Sequence, residues 1–193
     1  MAVELVTAPT VPPVSLADLK AHLRVDHDDD DAYIAGLAEV ATASVEDYCQ
    51  RALVAQTWRW VLGGWPNEGE RVPRAPFGEL VSISYVDADG ATQSLDVDQF
   101  TVAGVENPRI YRAAGVTLPS VRSGPVVVTI TFTAGYEPGS GDDTSIIPAP
   151  LRHAVAMTVA HFYENREATL INVRGEDLPR GVDHLLARYR VWL

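Results

Sequence analysis

VSLADLKAHLRVDHDDDDAYIAGLAEVATASVEDYCQRALV, residues 14–54, reads as a short helix, an acidic elbow, a long helix and a stop. Ser15 is placed to cap the first helix, because its hydroxyl oxygen can accept an otherwise orphaned backbone N–H. Leu16, Leu19 and Leu23 then recur at the spacing of one helical face. The elbow Asp26-His27-Asp28-Asp29-Asp30-Asp31 follows, and carboxylates just ahead of a helix are favoured by the partial positive charge of its N-terminus. The second helix carries Ile34, Leu37, Ala41, Val45 and Tyr48 down one side. Ala35, Gly36, Ala38, Ala41, Ala43 and Ser44 keep it slim, so another helix can approach closely. It should end near Arg51.

Ahead of this stretch, residues 1–13 contain Pro9, Pro12 and Pro13, which disfavour helix and bias their neighbours to extended geometry. They read as an extended arm, either loose or lying against a neighbouring subunit. Behind it the periodicity changes. Gln56–Leu62, Leu80–Val86, Ala91–Leu95, Gln99–Ala103 and Arg109–Arg112 read as strands, with Asp87-Ala88-Asp89-Gly90 as a turn. Val126–Thr133 is the strongest strand signal, with Val126, Val128, Ile130 and Phe132 on one face. The proline-punctuated run Arg71–Phe77 belongs to a loop or an edge.

After a Gly-, Ser- and Asp-rich loop, Pro148 or Pro150 opens a helix, as proline suits the first turn. Leu151, Val155, Val159 and Phe162 share a face, and the helix should run to about Arg166 or Glu167. Residues 168–178 read as a loop, and Pro179 starts a last helix with Val182, Leu185, Leu186 and Tyr189 on one side. The fold class is therefore α+β. A small helical bundle combines the N-terminal hairpin with two C-terminal helices, and an antiparallel β segment is inserted between them. The expected division is 1–54, 55–135 and 136–193.

Composition narrows the function. In 193 residues, 47% hydrophobic content suffices for a buried core. A net charge of −11 argues against a chain whose main task is gripping nucleic acid, since that affinity comes from Lys and Arg neutralising phosphates. Cys49 is the one cysteine, so there is no intrachain disulfide, and it reads as a small buried residue. The N-terminus lacks the basic start and apolar run of a signal peptide, and no apolar run approaches the roughly 18 residues of a membrane span. These features give an expectation of a cytoplasmic chain without a membrane partner.

Chemistry finds little purchase. Counted as a calcium loop from Asp26, the sixth residue is Asp31 and the twelfth Leu37, where such a loop needs Gly and Glu. Asp28, Asp29 and Asp30 read instead as a solvated, helix-capping surface, able to face a basic partner or line a DNA channel. His153 and His161 lie eight residues apart on one helix, too far to form an adjacent ligand pair. The sequence contains no His-Glu-x-x-His, no Gly-x-Ser-x-Gly, no phosphate loop and no Gly-x-Gly-x-x-Gly. No catalytic residue, cofactor or metal is expected. Arg180, Arg188 and Arg190 stand with Tyr189 and Trp192 at the C-terminus, and Arg, Tyr and Trp are the residue types that dominate interface energetics. They read as a partner-binding surface; the alternative is that Leu185, Leu186, Tyr189 and Trp192 fold back on the core.

Several of these residues also carry a likeness. Val-Ser-Leu, then Lys-x-His-Leu-Arg-Val-Asp, the acidic run, and the alanine-rich helix ending in Arg-Ala-Leu form its first part. It continues in Gln56-Thr57-Trp58, Ser84–Gly90, Phe132–Tyr136, His161–Glu167 and Tyr189-Arg190-Val191-Trp192. In this ordered series the chain resembles the phage head-tail connector (adaptor) proteins, a group that includes the adaptors of gene transfer agents. The resemblance implies a structural, non-enzymatic subunit that joins a dodecameric ring around the DNA channel. It implies the portal protein as partner, met by the C-terminal segment, and the next neck or tail component (a stopper or tail terminator) on the other side. DNA would pass without specific binding. Assembly would take place in the host cytoplasm and the product would sit in the particle neck. Two rival readings stand beside it: a metal-dependent hydrolase using Asp26–Asp31, and a binding module unrelated to virions.

Overall fold

A computed structural model describes residues 2–140, 143–165 and 180–191, with Arg180 by its backbone alone. The chain divides into two compact units. One joins Thr10–Val54 to the segment that begins at Tyr136 and is helical; the other joins the first nine residues to Ala55–Gly135 and is built of strands.

In the helical unit, α1 (Leu16–Leu23) is capped by Ser15, whose Oγ accepts from the Asp18 backbone N–H. It stops at Arg24, which takes the left-handed conformation with φ 59°. α2 (Asp31–Cys49) buries Ile34, Ala38, Ala41, Val45 and Cys49, one residue per turn, and stops at Gln50 in the same left-handed conformation. Neither stop is a glycine; in both, the backbone N–H closes onto carbonyls of the last turn, which offsets part of the strain. α3 (Ala149–Glu164) buries Leu151, Ala154, Val155, Ala156, Thr158 and Val159. Thr158 is tolerated there because its hydroxyl donates to the Ala154 carbonyl at 2.8 Å. α4 (Arg180–Leu186) adds Val182 and Leu186 to the same core. Against the expectation of a helix to Arg166 or Glu167, α3 stops at Glu164, where Asn165 leaves helical geometry at φ −115° and ψ 77°. The expected loop 168–178 lies outside the described residues.

The β unit holds a five-stranded antiparallel sheet in the order β1 (Ala2–Thr7), β2 (Gln56–Leu62), β8 (Val128–Ala134), β4 (Phe77–Val86), β5 (Thr92–Leu95). Trp58, Trp60 and Leu62 pair with Phe132, Ile130 and Val128, and Ile83 continues that row on β4; all are buried. Complete burial of a side chain the size of Phe132 or Ile130 contributes roughly 2–3 kcal/mol. The opposite face is polar, with Arg59, Thr129, Thr131, Thr133, Ser82 and Ser84. A second sheet of three strands has the order β3 (Glu70–Arg71), β7 (Arg109–Arg112), β6 (Phe100–Ala103).

Two further sequence expectations are corrected. Residues 2–7 are no loose arm: they form β1 and pair with β2 from Ala2↔Val61 to Thr7↔Thr57. The prolines all come after the strand, so nothing in 2–7 blocks pairing. Val126 does not share the buried face of β8. It is 61% exposed, because pairing with β2 begins only at Val128↔Leu62.

Candidate functional site: the acidic elbow, the C-terminal segment and an arginine face

The acidic elbow is held by α1 and α3. The Lys20 side chain is 16% exposed, and its Nζ lies 2.6 Å from Asp28 Oδ1 and 2.7 Å from Asp31 Oδ1. The hydrogen bond from Lys20 holds the Asp28 carboxyl below the usual range, and the bonds to Asp28 and then Asp31 raise Lys20 above its ordinary value. The Tyr163 hydroxyl on α3 donates to Asp30 Oδ2. Asp29 is 96% exposed and meets only His27 Nδ1, at 3.9 Å. The three aspartates named from sequence thus share one turn but not one task. Asp28 and Asp30 fasten the elbow and Asp29 faces solvent. Among the described residues no three His, Cys, Asp or Glu side chains converge as a metal site.

At the C-terminal end, the chain after α4 turns back along the end of α2. Arg51 is 6% exposed, and its Nε donates to the Tyr189 carbonyl at 2.5 Å. Its guanidinium carbon lies 6.0 Å from the Tyr189 ring centroid. Arg190 sits 5.0 Å from the Tyr48 ring centroid, and the Val191 N–H donates to the Cys49 carbonyl. Tyr189 is packed against the core, as the fold-back reading expects of it, while Arg188 and Arg190 remain exposed. Arg180 is described only by its place at the start of α4, and Trp192 lies outside the described residues. Burial pushes the Cys49 thiol up to about 11, making it a structural residue rather than a nucleophile.

Sequence reasoning passed over two arginine features. Arg51 serves as a bracket, and its partner is 138 positions away. On the three-stranded sheet, Arg71 of β3 stands directly opposite Arg109 of β7, with Tyr111 two residues along the same face. Arg109 Nη1 donates to the Gly69 carbonyl at 2.6 Å. Arg71 is half-buried, and its Nε and Nη1 are out of solvent with no acceptor. The alternation in Arg109-Ile110-Tyr111, with Ile110 fully buried, was the available signal that Arg109 and Tyr111 face outward together. Nearby, Trp65, Pro66, Glu68, Arg112, Thr117 and Leu118 line a shallow cleft of about 320 Å³. Its Glu68 and Arg112 are 3.5 Å apart.

Comparison with known proteins bears on what these surfaces serve. The family described as phage gp6-like head-tail connector protein matches residues 13–85, the segment from the first helix into β4. No curated protein sequence matches the chain. Among solved structures, a chain in "Neck of empty GTA particle computed with C6 symmetry" is 28% identical, with a TM-score of 0.79. Another, from "Virion of native gene transfer agent (GTA) particle", is 28% identical with a TM-score of 0.80. A third, from "Neck of native GTA particle computed with C12 symmetry", is 28% identical with a TM-score of 0.77. Each match covers 100% of this chain and 97% of the other. Residues 13–85 are thus similar to the gp6-like head-tail connector family, and the whole chain is similar to chains solved in gene transfer agent particles.

Proposed function

We propose that this chain is a building block of a particle neck, closing with further copies of itself into a ring around the DNA channel. The observation that carries the reading is likeness over the full length to a chain solved in a neck computed with C12 symmetry. A closed cyclic ring needs heterologous contacts, in which two different faces of each copy meet. On this reading the C-terminal segment, with exposed Arg188 and Arg190, docks on the portal protein. The elbow, with Asp28 and Asp29 largely exposed, belongs to the ring surface or the channel wall. The opposite end of the ring receives the next neck or tail component, a stopper or tail terminator. A net charge of −11 suits a channel through which DNA slides without adhering. Subunits assemble in the host cytoplasm and end in the neck.

No covalent chemistry is required. The hydrolase alternative needs the elbow carboxylates to converge on a metal, but Asp28 and Asp31 are held by Lys20 and Asp30 by Tyr163. The test is a producing strain whose copy of the chain carries R188E/R190E, both positions exposed, which leaves the Arg51–Tyr189 bracket in place. Heads without tails, with the variant subunit still folded, are expected. Particles in wild-type yield would overturn the portal-docking assignment.

A further inference from the structure

On the arginine face of the three-stranded sheet, Arg109 gives one N–H to the Gly69 carbonyl, while Nε and Nη1 of Arg71 have no acceptor among the described residues. Arg71 and Arg109 are directly opposite across the β3–β7 pair, and like charges so placed are destabilising. A guanidinium stays charged at any physiological pH, and a buried donor without an acceptor is destabilising. Arg71, unsatisfied in this way and facing an exposed Arg109 of like charge, points to an acceptor supplied from outside. The planar fork of a guanidinium suits a carboxylate or a phosphate.

Charge decides between these two. The residues of the β unit include six arginines and no lysine against nine Asp and Glu, so this unit has no surplus of positive charge with which to track a phosphate backbone. An acidic protein segment fits two isolated arginines better. The chain itself carries one. From Val25 to Gln50 there are eight Asp and Glu and no Lys or Arg. Within it Asp26 is exposed, and Asp29 has only a histidine near it.

We propose that Arg71 and Arg109 of one copy receive the elbow carboxylates Asp26 and Asp29 of a second copy of this chain, with Tyr111 beside the contact. The two faces differ, so the contact is heterologous and repeats from copy to copy until the ring closes. This rests on the ring reading above and assigns it a seam.

The test uses the full chain in a particle-producing strain, with the amount of chain per head measured by quantitative mass spectrometry. Three variants are compared: R71E/R109E, D26R/D29R, and the fourfold variant that exchanges both sides. Each single-side reversal is expected to lower incorporation at least about tenfold, since like-charge juxtaposition costs several kcal/mol. The fourfold variant is expected to restore it. Wild-type incorporation of both single-side variants would overturn the proposal. So would loss in R71E/R109E alone with D26R/D29R unaffected, which assigns the arginines to phosphate or to another protein. Should an exchanged chain melt below the wild type, a D29C/R109C chain decides. Oxidation is expected to give a ladder of disulfide-linked copies from assembled necks, and its absence overturns the contact. A wild-type chain missing from particles overturns the ring reading itself, whereas a chain present without the ladder overturns only this seam.

Discussion

Replacing Arg51 with methionine isolates the bracket between α2 and the C-terminal segment. Methionine keeps most of the buried aliphatic length, so little cavity is created. Among what is lost is the hydrogen bond from Nε to the Tyr189 carbonyl, charge-assisted and 2.5 Å long. Hydrogen bonds to charged groups contribute about 1.5–3 kcal/mol. The guanidinium at 6.0 Å from the Tyr189 ring centroid is at the outer limit of a cation–π contact and adds at most about 0.5–1 kcal/mol. R51M should therefore destabilise by about 2–4 kcal/mol. At about 2–4 °C per kcal/mol for a chain of this size, the melting temperature should fall by about 4–16 °C. Differential scanning calorimetry on the purified subunit measures this. Carboxypeptidase digestion, run alongside, should trim the variant past Tyr189 faster than the wild type. A melting temperature within 1 °C of wild type, with unchanged trimming, would refute the bracket.

Three further outcomes follow from particular residues. Gly36 lies mid-helix in α2, and a Cβ there would meet no atom within 4 Å. Gly36→Ala should thus stabilise the isolated subunit by about 0.5–1 kcal/mol in urea unfolding, and a loss of stability would contradict the open surface. The Asp28 carboxyl is held low by Lys20, so its contribution is present above its ordinary value of 3.8 and is lost as pH falls through the folded value. Melting temperature against pH should accordingly drop less steeply on the acid side in Asp28→Asn than in wild type; identical curves would show the pair idle. Cys49, buried with its thiol near 11, should resist a thiol reagent at pH 8 until the chain is unfolded, and prompt labelling of the native subunit would count against its packing.

Much of the helical unit was legible because its signals are local. Ser15, three residues before the amide it caps, and the helically spaced Ile34, Ala41 and Val45 need only neighbours in sequence. The same holds for β8, where Val128, Ile130 and Phe132 alternate with threonines. What escaped depends on distant partners. β1 is a strand because β2, some fifty residues on, offers it Val61, Trp60 and Arg59 to pair with. The division of the β residues into two sheets is set by which strands meet, and local alternation is the same in either case. Arg51 looked like the end of a helix, and only the folded chain brings Tyr189 to it. The pairing of Arg71 with Arg109 is of the same kind: each arginine is unremarked in its own run, and the face exists only once β3 lies against β7. On the candidate surfaces, residue type was readable while role was not. Asp28, Asp29 and Asp30 look alike in sequence, and their neighbours alone divide them into fasteners and a free carboxylate.

The central claim is that this chain works as a shaped subunit of a ring. Image reconstruction of the neck from purified particles of a producing strain tests it most directly. The expected result is a closed ring of copies of this chain around an axial channel, one face against the portal. A complete neck whose density has no place for this fold would contradict it.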